Sequence, residues 1–290
     1  MAEPLVQHVS DTAFLVANAR AVETERPAPL FRDPLAARLA GEKGRAIGAA
    51  FPAMTGWTVV IRTVIIDAFV AEAIAGGVDL VVNLGAGLDT RPYRLELPQA
   101  LQWIEVDYPD VIAFKEQRLA SETPHCRLER VGLDLTAGAD RRALFAKLAA
   151  RANRMLVLTE GVVPYLDEAQ VADLADDLRA VPQVASWIVD YLSPESHKYR
   201  QRMKVTRQLT QAPFKFRPPD WFGFFARHGW CAKEIRYLVD EGKRLGRRPL
   251  LPLMTRLLLA TLLRFAPPEK RDAFRKFAAY VVLEPAPRNA

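Results

Sequence analysis

Hydrophobic and polar positions recur at helical spacing in the first part of the chain. This spacing predicts a helix over Ser10–Glu25, capped by Ser10 or Asp11, and a second helix over about Gly56–Ala75 that ends at Gly76 and Gly77. A proline-rich connector, residues 26–34, follows the first helix. Residues 1–76 are therefore expected to form a helical N-terminal cover.

From residue 80 onward, short apolar runs alternate with helical patterns. The predicted strands are Leu80–Leu84, Ala100–Val106, Cys126–Val131, Met155–Thr159 and Val184–Tyr191, and the predicted helices are Pro109–Ala120, Arg141–Ala150 and Asp167–Arg179. Asp167 is the expected N-cap of its helix. This alternation predicts an α/β fold, in which a parallel sheet is covered by helices on both faces.

The last third of the chain departs from this alternation. The pattern there predicts a helix at Trp221–Arg227 closed by Gly229, a strand at Cys231–Val239 and a final strand at Phe277–Leu283. Residues 193–217 and 242–276 match no sheet element, and we interpret them as a cap and an insertion over the site. Because no internal repeat divides the chain, we expect one domain over residues 1–290.

Composition excludes several classes of protein. The four His and two Cys have no metal-ligand spacing, and the unpaired cysteines indicate reduced thiols in a cytoplasmic protein. The net charge is +6, but the basic residues form no dense stripe with aromatic residues, which argues against nucleic acid. The most apolar late segment, residues 249–265, is too short and too charged to span a bilayer, which needs about 20 apolar residues. We therefore expect neither nucleic acid nor a membrane as partner.

The strand at Leu80–Leu84 runs into a Gly-x-Gly turn, Gly85-Ala86-Gly87, which Asp89 and Arg91 follow. Glycine has no Cβ, so a ligand can approach the backbone of such a turn closely. A dinucleotide fingerprint would carry a third glycine where Thr90 stands. The turn therefore favours S-adenosylmethionine (SAM), with a nicotinamide dinucleotide as the alternative.

Acidic residues follow three of the predicted strands. In open parallel sheets, ligands bind at the carboxyl ends of the strands, so Asp107, Asp134 and Glu160 are candidate ligand groups. Asp107 lies about twenty residues past the glycines, the spacing at which an acid accepts hydrogen bonds from ribose. Asp134 has a second interpretation, because it can also cap the turn at Thr136.

Four segments together resemble the leucine carboxyl methyltransferase family, in its bacterial branch of small-molecule O-methyltransferases. They are residues 12–24, 62–67, 83–91 and 159–166, and residues 103–109 and 225–230 also match the pattern. The resemblance covers nearly the whole chain and weakens over residues 242–276. It implies a class I SAM-dependent methyltransferase fold, which is Rossmann-like with a seven-stranded, mostly parallel sheet.

The resemblance also implies roles for individual residues. Arg62 would pair with the SAM carboxylate, Gly85 would lie against the methionine part, Asp107 would hold the ribose, Asp134 and Leu135 would flank the adenine, and Glu160 would close the methionine end. Gly87 would also belong to the cofactor site. Arg20, on the first helix, could reach the carboxylate of SAM or of the acceptor, and Thr12 is a weaker candidate. Asp89 and Arg91 are expected to brace the turn.

The implied activity is SAM-dependent O-methylation of a small acid, such as a secondary metabolite, with S-adenosylhomocysteine as product. A carboxylate acceptor needs no general base, whereas a phenol would, and His197 is then the nearest candidate. Tyr165 and Tyr191 could touch the acceptor. A basic group near Phe214 and Phe216 would suit an anionic, partly apolar acceptor; it consists of Lys198, Arg200, Arg202 and Lys204. The alternatives are a Rossmann-type NAD-dependent oxidoreductase, a protein C-terminal carboxyl methyltransferase and a SAM-binding protein without enzymatic activity.

Overall fold

The computed structural model describes residues 8–51, 53–202, 213–249 and 253–287. Its strands are β1 (Leu80–Leu84), β2 (Gln102–Asp107), β3 (Arg127–Gly132), β4 (Met155–Thr159), β5 (Val184–Leu192), β6 (Trp230–Tyr237) and β7 (Ala278–Pro285). They form one seven-stranded sheet in the order β3-β2-β1-β4-β5-β7-β6. Only β7 runs antiparallel to its neighbours, β5 and β6. The predicted α/β fold with a mostly parallel sheet is confirmed.

Helices precede the sheet and connect its strands. They are α1 (Asp11–Thr24), α2 (Ala36–Ala50), α3 (Ala53–Ala75), α4 (Arg91–Arg94), α5 (Pro109–Leu119), α6 (Gly138–Ala149), α7 (Glu168–Arg179), α8 (Pro194–Arg202), α9 (Trp221–Arg227), α10 (Leu238–Arg244), α11 (Leu253–Phe265) and α12 (Pro268–Arg275), and a 3₁₀ turn covers Val163–Tyr165. No helix in the described ranges is both long enough and apolar enough to cross a bilayer.

Side chains of the sheet alternate between two apolar cores. Leu80, Val82 and Leu84 of β1 join the core formed with α6, α7 and α9, whereas Val81 joins the core formed with α3. All five residues of β1 and all five of β4 are buried. Burial on both faces explains why these two strands are continuous apolar runs in the sequence.

Most predicted helix ends agree with the structure. Asp167 caps α7 in a capping box with Gln170, and the glycines Gly77 and Gly229 adopt positive φ just beyond their helices. Ser10 occupies the N-cap position of α1, as predicted, but its hydroxyl pairs with the His8 ring and forms no capping hydrogen bond. Asp11, the alternative cap, lies inside the first turn.

Two regions differ from the predicted elements. The sequence pattern missed α2 entirely, and it predicted β6 two residues too long, since Leu238 and Val239 belong to α10. Within residues 193–217, the structure places α8 at Pro194–Arg202, and residues 203–212 lie outside the described part of the chain.

Candidate active site

The glycine turn after β1 is held tightly against the end of β2. Gly85 and Gly87 adopt φ angles of 68° and 47°, which favour glycine. The backbone N–H groups of Gly85 and Ala86 both donate to the Val106 carbonyl, at 2.7 and 3.0 Å. A Cβ on Gly85 would lie 2.3 Å from Val162 Cγ2, so this position excludes any other residue unless Val162 moves.

Asp107 ends β2 beside this turn and fixes its backbone. Oδ2 accepts the N–H of Gly87 at 2.6 Å, and Oδ1 accepts the N–H of Tyr108 at 2.7 Å. Burial raises the pKa of the Asp107 carboxyl, although both N–H groups oppose that effect. The side chain is partly exposed, and each oxygen keeps a second lone pair. Asp107 can therefore accept a ribose hydroxyl while holding the turn, and its ribose contact stays a prediction.

Arg62 and Glu160 meet at the carboxyl end of β4. Arg62 Nε lies 2.8 Å from Glu160 Oε1, but the angle is too bent for a hydrogen bond. Arg62 Nε is buried and has no hydrogen-bond partner among the residues that the structure describes. Burial would raise the pKa of the Glu160 carboxyl, but the charges of Arg91 and Arg62 outweigh burial and lower it. The pair thus presents a carboxylate and a guanidinium side by side.

Arg91 connects this pair to the glycine turn. Its guanidinium binds Glu160 at 2.8 Å, Asp89 at 2.9 Å and Asp67 at 2.7 Å. Asp89 also accepts the Asn83 side-chain amide at 2.9 Å. Burial would raise the pKa of the Asp89 carboxyl, but Arg91 and other nearby cations hold it well below its usual range. Asp89 and Arg91 therefore brace the turn, as the sequence predicted.

Arg20 also contacts the turn, from α1. Its Nε donates to Asp33 Oδ2 at 2.8 Å, and one terminal nitrogen donates to the Leu88 carbonyl at 2.5 Å. The same Asp33 oxygen accepts the Thr90 hydroxyl at 2.6 Å. Arg20 thus ties α1 to the turn, and its contact with a ligand carboxylate stays a prediction. Thr12 donates its hydroxyl to the Val9 carbonyl in the preceding turn.

Asp134 and Leu135 follow β3 on the far side of Asp107. Asp134 Oδ1 accepts both the N–H and the hydroxyl of Thr136, at 2.9 and 2.8 Å, which is the loop-capping interpretation of this residue. Oδ2 is left for another donor, and Leu135 is partly buried against the core. Contact of this pair with an adenine stays a prediction.

The candidate acceptor residues lie near the ends of β4 and β5. Tyr165 packs edge-on against Phe214 at 5.0 Å between ring centroids, and Tyr191 stacks on Phe222 at 5.3 Å. His197 lines a narrow crevice together with Pro164, Asp190, Leu192, Phe216 and Trp221. Of the basic group, Lys198 is exposed; the side chains of Arg200 and Arg202, and all of Lys204, lie outside the described residues.

Sequence patterns missed one acid in this region, Asp190. It is buried, and its carboxylate accepts the Tyr280 hydroxyl at 2.6 Å and the Gly161 N–H at 2.9 Å. Burial raises the pKa of Asp190 to about 6, against the opposing effects of Tyr280, Arg62 and the Gly161 N–H. Asp190 lies inside β5 and pairs in register with Tyr280 of β7, so reading only the residue after each strand could not find it.

Comparison with known proteins agrees with this geometry. The profile of the leucine carboxyl methyltransferase family matches residues 13–179, which include the glycine turn, Asp107 and Glu160. A Frankia alni protein, assigned by name to the S-adenosyl-L-methionine-dependent methyltransferases, is 35% identical over 254 residues, covering 83% of this chain and 88% of its own. The chain belongs to the leucine carboxyl methyltransferase family.

Other members and solved structures extend the comparison. A Mycobacterium marinum relative, also assigned by name to the SAM-dependent methyltransferases, is 28% identical over 286 residues, covering 90% of this chain and 92% of its own. A DUF574 family protein from Streptomyces avermitilis shares the fold, with a TM-score of 0.57 and 15% identity over 95% of this chain and 97% of its own. A Thermobifida fusca structure assigned to the methyltransferases gives a TM-score of 0.58 at 13% identity over 98% and 97% of the two chains.

Membership of this family identifies the chain as a SAM-dependent methyltransferase. It therefore excludes the alternative of an NAD-dependent oxidoreductase. The residues fit the cofactor. The Arg62 guanidinium and the Glu160 carboxylate are complementary to the carboxylate and ammonium of a methionine moiety. The spare lone pairs of Asp107 suit the ribose end. Groups of three or more metal-binding side chains do not occur among the described residues.

Proposed function

We propose that this enzyme transfers the methyl group of SAM to a carboxylate oxygen of a small, partly apolar acid. The observation that carries the proposal is the aromatic wall next to the Glu160 end of the site. The N–H groups of Lys215 and Phe216 donate to the Pro164 carbonyl, which seats the segment from residue 213 against the turn after β4. Phe216 and Trp221 line the crevice on that side, and Tyr165 packs on Phe214. Such a wall favours an acceptor with an apolar body.

Catalysis depends mainly on how the cofactor and the acceptor are positioned. When bound, SAM supplies a sulfonium whose methyl group is transferred to the acceptor by in-line displacement. Arg62 would hold the carboxylate of the methionine moiety, Glu160 its ammonium, and Asp107 the ribose hydroxyls. With the cofactor fixed at both ends, orientation and exclusion of water by the aromatic wall would provide most of the rate enhancement.

The acceptor carboxylate enters already ionised, so no proton has to be removed. His197, the candidate base for a phenol, would then have no catalytic proton to take. Replacing a general base typically lowers the rate 10²–10⁴-fold. A carboxylate acceptor and a phenol acceptor therefore predict different effects of replacing His197. We expect His197→Ala to keep kcat within a few-fold of wild type on the true acceptor.

The test is a transfer assay with methyl-labelled SAM. It uses a panel of small aromatic and aliphatic acids, the corresponding phenols, and peptides that end in a free leucine carboxylate. A methyl ester releases its label in mild alkali, whereas an aryl ether retains it. Alkali-labile label on the small acids is the expected result.

Each other outcome contradicts a defined part of the proposal. Alkali-stable label, lost in His197→Ala, would assign a phenol acceptor. Label on the peptides alone would assign a protein C-terminus. SAM binding without transfer to any acceptor would favour a non-enzymatic role.

A further inference from the structure

The insertion between β6 and β7 carries an apolar face that the rest of the described fold leaves uncovered. On α11, Met254, Leu257, Leu258, Leu262 and Phe265 are between 55% and 79% exposed. At 100° per residue these five positions fall within an arc of about 140°, which is the width of the stripe that a globular protein normally buries. We call these five side chains the α11 stripe.

The insertion is also strongly basic. Residues 242–276 contain ten Lys and Arg against two Asp and Glu, a net charge of +8, while the whole chain carries only +6. Arg264 lies at one edge of the α11 stripe, and Lys270 and Arg271 follow on α12. All three are exposed, and none forms an ion pair within the described residues. An apolar stripe with unpaired cations beside it is typical of helices that lie in the interface of anionic membranes.

The fold presents the stripe on one side only. The Trp57 indole N–H donates to the Arg247 carbonyl at 2.9 Å, which attaches the segment before α11 to α3. Arg275 binds Asp240 at 3.0 Å, which attaches α12 to α10. A helix attached at both ends can lie against a flat surface. A protein partner that surrounds its target helix needs that helix to be free, so such a partner fits α11 less well.

Two other occupants fit the charges less well. A second copy meeting this face across a two-fold axis would bring the same cations together. Nucleic acid would use the cations but would gain little from the leucines. With 13 residues, about 20 Å at 1.5 Å per residue, α11 is too short to cross a hydrocarbon core of about 30 Å.

We propose that α11 docks the enzyme on an anionic lipid surface, lying in the interface with its stripe inserted and Arg264, Lys270 and Arg271 on the headgroups. This interaction surface is independent of the acceptor, and it replaces the sequence-based expectation that no membrane partner exists. It would hold the enzyme beside a membrane through a helix that lies in the interface.

The test is co-sedimentation of the purified full-length enzyme with vesicles. We expect it to pellet with mixed phosphatidylcholine and phosphatidylglycerol at low salt, and to stay in the supernatant with phosphatidylcholine alone. The variant Leu258→Ser with Phe265→Ser should lose pelleting, while the matched control Val22→Ser, at another exposed apolar residue of 56%, should keep it. Arg264→Glu should weaken binding at least about fivefold, and the exposed control Arg45→Glu should not.

S-adenosylhomocysteine binding shows that each variant is folded, and no acceptor is needed, so failure of the proposed function would leave this result unchanged. Wild type that stays in the supernatant with anionic vesicles overturns the proposal. So does equal pelleting of wild type and the double serine variant. A dimer seen by light scattering, and dissolved by the same double variant, would assign the face to a second copy instead.

Discussion

At the scale of single residues, Asp190 couples the site to pH. Its folded-state pKa of about 6 lies above the ordinary value of 3.8, so its contribution to stability is fully present below about pH 4 and is lost as pH rises through 6. Asparagine mimics the neutral form at every pH. We therefore expect the free energy of unfolding of wild type, relative to Asp190→Asn, to fall by up to about 3 kcal/mol between pH 4 and pH 7.

The measurement is denaturant unfolding of both proteins across that pH range. Asp79 provides a control of opposite sign. Burial would raise the pKa of Asp79, but the backbone N–H groups of Arg154 and Asn153 lower it. The advantage of wild type over Asp79→Asn should therefore be complete above about pH 4 and be lost as pH falls through the lowered folded-state pKa, so this comparison is extended below pH 4. A flat or rising difference for Asp190→Asn would contradict the assigned burial of its carboxyl.

Gly85 offers a second residue-scale prediction. Alanine there would combine an unfavourable positive φ, which costs about 1–2 kcal/mol, with a clash against Val162 that costs about 1–3 kcal/mol more. Adding Val162→Ala should relieve the clash and recover the stability lost to it, but the backbone strain should remain. Gly77→Ala isolates the backbone part, because Gly77 has φ 88° and open space around its Cβ position. Thermal unfolding of the three variants and wild type checks this, and equal losses at Gly85 and Gly77 would refute the clash.

At the scale of elements, α1 is attached to the glycine turn by a buried ion pair. The side chains of Arg20 and Asp33 are 5% and 0% exposed, so removing one partner leaves the other buried without its counter-charge. We expect Arg20→Met to lower the free energy of unfolding by about 3–5 kcal/mol, and Arg20→Met with Asp33→Leu to recover part of that loss.

The solvent-exposed pair Arg38–Glu122 gives the matched control for this loss. Arg38→Met should cost at most about 1 kcal/mol, because water already screens that pair. If Arg20→Met and Arg38→Met cost the same in denaturant unfolding, the Arg20 pair does not secure α1.

Strands were more predictable than the helices of the N-terminal cover, and the reason is physical. β1 and β4 are buried on both faces, so their apolar runs are unambiguous. Helix α2 was missed because Gly41, Gly44 and Gly48 resemble a loop in sequence. In the structure Gly41 kinks the helix at φ 56°. A Cβ on Gly44 would lie 2.8 Å from the Phe14 carbonyl, so this glycine lets α2 approach α1 closely. Tertiary packing of this kind leaves no periodic signal.

The site residues also differ in whether the sequence could predict them. Asp107 and Glu160 stand at recognisable strand ends, whereas Arg62 lies inside α3 and was predicted from the family resemblance. The structure brings Arg62 to Glu160. Asp190 and Tyr280 are ninety residues apart in sequence, and only the pairing of β5 with β7 places them together. The contacts that could not be predicted from the sequence are those that depend on the register between β5 and β7.

At the scale of the whole molecule, ligand binding should stabilise the fold through Arg62. S-adenosylhomocysteine at a hundred times its Kd should raise the free energy of unfolding by about 2.7 kcal/mol. A charge-assisted hydrogen bond contributes about 1.5–3 kcal/mol, so Arg62→Met should show about 1 kcal/mol of stabilisation or less at the same ligand concentration.

Thermal unfolding with and without the ligand measures both effects. Arg244→Met is the control, because Arg244 is exposed and paired only with Glu241. Equal ligand-induced shifts in Arg62→Met and Arg244→Met would show that Arg62 does not hold the methionine end.

The contact between Asp190 and Tyr280 has a consequence for synthesis of the chain. β7 leaves the ribosome after every other described strand, yet it inserts between β5 and β6 and brings Tyr280 to Asp190, which in turn holds the Gly161 N–H beside Glu160. A nascent chain that stops before residue 278 lacks this support and two strand pairings. Cofactor affinity should therefore appear only once translation has passed β7, so abortive products would be inactive and could not sequester SAM.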